Sequence, residues 1–401
     1  MTNRFSNLLL TAASAAMLAA CGGGGGGSLR PIPVAPTPSP TPTPAPTPAP
    51  SSLNTAEYRR SNAATSIGAL TAYEAGAFGA GVKVGVIDSG IDVDSPEFAG
   101  RIDPASRSTN RDPLQDIDGH GTSVAGVIAA AANGRFNQGV APLATIVAQR
   151  ADDPGSCDGE DGCNYPDVNI AAGIDNARVA GARVINVSLG GSEAFPVLRR
   201  AIDRATAADI IIVISSGNDG EDNPDPLALV ANDGISRGRV LIAGALTATG
   251  QQAEFSNRAG SGQQHYFATL GDRVRSFDHT DTAFLFSGTS YAAPGLSGAL
   301  ALLFSAFPNL SADEAIEILR RSATDLGAAG TDAVFGRGGL DIAAAFRAQG
   351  QTSLAGSKIA LDAESGALVT FGGAAGDGGT FGDTLGNVVV LDAFGRAYGI
   401  D

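Results

Sequence analysis

Four short segments carry side chains that together could hydrolyse an amide. Val84-Gly85-Val86-Ile87-Asp88-Ser89-Gly90 ends an apolar run on an aspartate, and Asp118-Gly119-His120-Gly121-Thr122 sets a histidine where an Ala-rich stretch begins. Ser215-Ser216-Gly217-Asn218 follows a second apolar run, and Gly288-Thr289-Ser290-Tyr291-Ala292-Ala293-Pro294 puts a serine ahead of a longer one. The reaction needs a nucleophile, a base for its proton, a group that orients the base, and donors for the developing oxyanion. Ser290, His120, Asp88 and Asn218 are one residue of each type. Taken singly, each has a plainer use: a strand-terminal Asp orients a loop or binds Mg²⁺, a His at a helix start caps it, and Ser290 is an N-cap. It is the combination that points to chemistry.

These groups need a scaffold that brings four distant segments to one edge. Residues 82–87, 146–149, 184–187, 210–215 and 240–243 are short, apolar and rich in Val and Ile, as buried parallel strands are. Between them, 120–132, 168–180 and 197–207 read as helices. The expected fold class is α/β, a three-layer αβα architecture with a central parallel sheet, whose chemistry lies beyond the carboxyl ends of the strands. That domain is assigned to residues 51–349. Residues 350–401 read as a small β-rich appendage, with strands over 359–371 and 388–398.

The order Asp, His, Asn, Ser, with these surrounding residues, resembles the signature motifs of the subtilase family over roughly residues 73–346. The resemblance implies a triad of Asp88, His120 and Ser290, with Asn218 as the oxyanion amide. It also implies that Ser188, Leu189 and Gly190 pair with the substrate as an added strand and form one pocket wall, opposite Ser215, Ser216 and Gly217. Phe255-Ser256-Asn257 matches a further family element. The flank around Glu57-Tyr58 and Ala72-Tyr73-Glu74-Ala75-Gly76, and the tail Leu391-Asp392-Ala393-Phe394-Gly395-Arg396-Ala397-Tyr398, resemble the autotransporter branch. In that branch the tail leads into an outer-membrane barrel, for which the residues up to Asp401 leave no room. Two features depart from the family. Only residues 51 to about 79 stand where relatives carry an inhibitory propeptide, and 267–276 lacks a common Ala-Pro-Gly.

Composition narrows the partners. Twenty-six basic against 41 acidic residues give a net charge of −15, which repels phosphate backbones and argues against nucleic acid. The family resemblance implies protein or peptide substrates. Residues 1–20 read as a lipoprotein-type signal, with Arg4, an apolar core, and Leu18-Ala19-Ala20 before Cys21, the expected lipidation site. An ordinary signal peptide beside an unrelated Cys is the alternative. Gly22 rather than Asp after the Cys favours the outer membrane. The Gly- and Pro-rich residues 21–50 then form a stalk, extended or simply disordered; twenty residues of polyproline II span roughly 60 Å. Cys157 and Cys163 bracket CDGEDGC and are disulfide candidates in an oxidising compartment, a metal clip being the alternative.

The sequence requires no cofactor and presents no metal-ligand pattern, although relatives often bind calcium and the acidic stretch 219–225 could host it. The pocket walls offer no acidic floor, so apolar or broad preference before the cut is expected. The reading is a surface-anchored serine endopeptidase acting on proteins, including its neighbours. The alternatives are a non-catalytic adhesion or scaffold module on the same fold, and an esterase or transferase using the same triad.

Overall fold

β-Branched side chains pack well on a sheet covered on both faces, and the Val- and Ile-rich runs form one. In the computed structural model, which describes residues 53–158, 163–354, 360–361 and 389–399, β1 (Lys83–Asp88), the two-residue β2 (Arg107–Ser108), β3 (Thr145–Arg150) and β4 (Val184–Val187) are followed by β5 (Ile211–Ser215), β6 (Val240–Leu246) and β7 (Tyr266–Leu270). They assemble in the order β2-β3-β1-β4-β5-β6-β7, all parallel. Val84 of β1 sits in register with Ile146 on one side and Val184 on the other.

Helices cover both faces. Three short ones, α1 (Ala56–Arg60), α2 (Asn62–Ser66) and α3 (Leu70–Glu74), precede the sheet; α4 (His120–Ala129), α5 (Asp167–Val179), α6 (Pro196–Ala207), α7 (Thr289–Ala306) and α8 (Ala312–Ser322) follow. Strand alternation sends Val84 and Val86 into a core shared with α4 and α7, while Ile87 joins a second core with α5 and α6. The expected three-layer αβα arrangement is therefore present. α7 runs through the larger core with Leu296, Leu300 and Leu303 fully buried, so it holds its first residue, next to Ser290, on a rigid axis.

Some boundaries differ from the expectation. The helix expected over 120–132 stops at Ala129 because the next backbone groups are used elsewhere. Ala131 donates to Glu97 O at 3.1 Å, and Ala130 O accepts from Gly139 at 2.9 Å. The strand expected over 388–398 is two strands, β12 (Val389–Leu391) and β13 (Ala397–Gly399), which pair antiparallel. Between them the Asp392 carboxylate accepts from the Phe394 and Arg396 amides at 2.9 and 3.0 Å, making a turn that Gly395 completes at φ 70°. β8 (Val274–Phe277) and β9 (Ala283–Phe286) pair antiparallel, and β10 (Thr352–Leu354) and β11 (Ala360–Leu361) complete a four-stranded sheet in the order β11-β10-β12-β13. Residues 1–50, with Cys21 and the stalk, and most of 359–371 lie outside the described residues. Cys157 and Cys163 are joined in a disulfide.

The tail is docked on the body through a buried ion pair. Arg396 donates to Asp392 Oδ2 at 2.9 Å, to Ala345 O at 2.6 Å and to Arg347 O at 2.9 Å. Asp392→Ala strands that guanidinium inside the protein, so it is expected to destabilise by about 3–5 kcal/mol. The check is the urea midpoint; an unchanged midpoint would mean that the tail does not contribute to global stability.

Candidate active site

Each of the four sequence-predicted groups lies at an element end on the same rim of the sheet. Asp88 is the last residue of β1 and fully buried. Its Oδ1 accepts from the Ser89 amide at 2.8 Å and lies 2.7 Å from His120 Nδ1. His120 is the first residue of α4, and only 26% of its side chain is exposed. This close approach of α4 to β1 requires Gly121, because a methyl there would collide with Gly90 O and reach within 3.2 Å of the Asp88 Cβ.

Burial disfavours the His120 imidazolium, but the Asp88 charge and hydrogen bond outweigh it, and its pKa is pushed up to about 9. That lies above the ordinary unfolded value of about 6.5. The pair therefore stabilises the fold fully below about pH 6.5, and this contribution is lost as pH rises through about 9.

Ser290 is the second residue of α7. Four residues on, Pro294 has no N–H to return to the Ser290 carbonyl, which would otherwise be its helical partner. The vacated carbonyl accepts from Ser188 Oγ at 2.8 Å, and Ser290 Oγ donates to Ser188 O at 3.1 Å. The nucleophile candidate is thus tied to the segment after β4 and not hydrogen-bonded to His120. Tyr291, one residue on, meets the His120 ring edge-on at 5.7 Å and shares a 3.0 Å hydrogen bond with Ser123 of α4.

Asn218 lies in the loop after β5. Its Oδ1 accepts from the Thr289 amide at 2.8 Å and from Thr289 Oγ1 at 3.0 Å. A backbone N–H can only donate, so this contact fixes the amide orientation and leaves the NH₂ free beside the start of α7. Asn257 braces the same loop, accepting from the Asp219 and Glu221 amides at 3.1 and 2.9 Å. The Ser188-Leu189-Gly190 and Ser215-Ser216-Gly217 segments run close together, with Ser215 Oγ donating to Leu189 O at 3.0 Å.

Sequence reading passed over Asp116. It is buried and accepts from Ser89 Oγ, the Gly119 amide, and both the amide and hydroxyl of Thr122, all between 2.6 and 2.9 Å. It thereby fastens the loop that presents His120 to the end of β1. An Asp four residues ahead of a helix-starting His was the available signal. His279 is half-buried against the His120 loop, its Nδ1 2.8 Å from where a Gly119 methyl would lie.

In the acidic stretch 219–225 two of the carboxylates have protein partners. Asp222 pairs with Arg258 at 2.7 Å, and Asp225 is bonded within the protein. The loop carbonyls of Gly134, Arg135 and Phe136 share the Arg60 guanidinium, at 2.7 Å for Gly134 and 2.8 Å for Phe136. Among the described residues no group of three or more His, Cys, Asp or Glu side chains could hold a metal ion.

A parallel α/β sheet whose rim carries Asp, His and Ser at strand and helix ends is the architecture of a serine-type peptidase. Residues 79–338 match the profile of the Subtilase family. Subtilisin DY of Bacillus licheniformis is 32% identical over 268 residues, covering 67% of this chain and 91% of that protein. Subtilisin E of Bacillus subtilis is 31% identical, covering 70% of each. The minor extracellular protease Epr of Bacillus subtilis is 33% identical over 67% of this chain, though over only 39% of its own length. The chain belongs to the subtilase family and is a serine-type endopeptidase.

Proposed function

We propose a serine endopeptidase that is acylated on Ser290 and held at the outer membrane by a lipidated Cys21. The observation that carries the catalytic part is the 2.7 Å contact between Asp88 and His120 beside the start of α7. In this reading the Ser290 side chain turns away from Ser188 O to meet the free His120 nitrogen. His120 takes the proton as the oxygen attacks the scissile carbonyl, while Asp88 holds the tautomer and stabilises the imidazolium. The Asn218 NH₂ and the Ser290 amide, near the start of α7, receive the oxyanion. His120 then gives its proton to the leaving amine, and water repeats the sequence to release the acyl group. Substrate enters as an extended strand along residues 188–190.

Fluorophosphonate labelling of the full chain tests this reading. Wild type is expected to be labelled and Ser290→Ala not; a folded wild type that resists labelling would sink it. The base must be neutral to act, so kcat/KM is expected to climb through about pH 9 rather than near 6.5. Asp88→Asn should move that acid limb downward, and a limb that stays put would separate Asp88 from the titration.

The anchor rests on the residues before Cys21 and on the Pro-rich stretch, which would set the enzyme within reach of neighbouring surface proteins. Cys21→Ser is expected to move the protein from the membrane to the soluble fraction. An unchanged distribution removes the lipid anchor.

A further inference from the structure

We propose that Asp225 is the floor of the pocket that receives the side chain before the scissile bond, and that it selects arginine or lysine there. This inference rests on the peptidase reading and replaces the apolar preference expected from sequence.

Asp225 lies seven residues after Asn218, in a stretch whose sequence gives no sign of pointing anywhere in particular. The fold turns it back under the cleft. Its amide donates to Ser216 O at 2.8 Å, so its backbone runs beside one wall. Its carboxylate bridges to the other, with Oδ2 accepting from the Gly191 amide at 3.1 Å and Oδ1 from Asn257 Nδ2 at 2.9 Å. A methyl added to Gly190 would strike Oδ2, and one added to Gly217 would strike Oδ1. The carboxylate therefore occupies the gap between the two walls, and the missing side chains of those glycines keep it uncovered.

What this carboxylate lacks is a cation. Two buried aspartates elsewhere have one, Asp152 with Arg150 at 2.8 Å and Asp392 with Arg396 at 2.7 Å, while buried Asp116 is held by four neutral donors between 2.6 and 2.9 Å, twice the number that Asp225 has. Among the described residues no Lys or Arg forms an ion pair with Asp225, although it is only partly exposed. Burial raises its carboxyl pKa, the Gly191 hydrogen bond opposes this, and Asp219 adds repulsion. A carboxylate has about four lone-pair positions, and the two bonds above leave room for a donor arriving along the pocket axis. A guanidinium or ammonium would meet a countercharge between the two walls. A leucine or phenylalanine would instead bury the carboxylate without a countercharge, which is unfavourable.

The test uses peptide anilides identical except for Arg, Lys, Leu or Phe before the cleaved bond, with the full chain. Wild type is expected to show kcat/KM at least about tenfold higher for Arg and Lys. Asp225→Asn should lower the Arg-to-Leu ratio by about tenfold or more, and Asp225→Glu should keep a basic preference. A wild type that favours Leu or Phe overturns the proposal, as does an Asp225→Asn protein that loses activity on all four substrates equally. The same preparations are treated with fluorophosphonate. A labelled wild type with apolar preference sinks this inference alone, whereas an unlabelled, folded one sinks the peptidase reading with it.

Discussion

Ser290→Ala is expected to lower kcat by roughly 10⁴–10⁶-fold while leaving a folded protein. The hydroxyl makes a single hydrogen bond, to Ser188 O at 3.1 Å, so its loss costs only about 1 kcal/mol of stability. The Ser290 carbonyl keeps its bond from Ser188 Oγ, so the start of α7 stays tied to the wall segment. His120→Ala should cost about as much activity, and the double variant little more, because the two act as one unit. Turnover of a chromogenic peptide, with circular dichroism as the check on folding, decides it. Full activity in folded Ser290→Ala would remove the acyl-enzyme.

Asn218→Leu is expected to lower kcat by about 10²–10³-fold with a much smaller effect on KM. The free NH₂ of Asn218 would be used only as charge develops on the carbonyl oxygen, so its removal is felt in the transition state. Asn218 also accepts from the Thr289 amide and hydroxyl, and leucine loses that tie as well. Asn218→Asp separates the two roles: it retains an acceptor for Thr289 but places a negative charge where the oxyanion forms. The aspartate variant should therefore be at least as slow. If it were near wild type, the side chain would be a brace for Thr289 and not an oxyanion donor.

Much of the candidate site was legible because the proposed reacting groups sit in short, contiguous motifs at the ends of strongly apolar runs. Asp88 ends β1 and His120 starts α4 because Val84 to Ile87 must be buried and Gly121 lets the helix approach. Ser188 was read as a wall residue; its hydrogen bond to the Ser290 carbonyl follows from Pro294, which is visible in sequence, but the carbonyl that the proline frees finds its partner only in three dimensions. Asp116 was missed because its partners, Ser89 and Thr122, are remote or unremarkable in the chain.

By itself the sequence determined the αβα class, since alternating β-branched runs and Ala-rich helices have few other ways to bury their apolar surface. It also determined which side chains could act as nucleophile, base, orienter and amide donor. Tertiary structure alone decided that Asp225 returns to the gap between Gly190 and Gly217, that Arg60 takes the carbonyls of residues 134–136, and that the tail is fastened through Asp392 and Arg396. The reason is physical. Hydrophobic period and turn chemistry are local signals, whereas the partner of a polar group is set by which loops the packed core brings face to face.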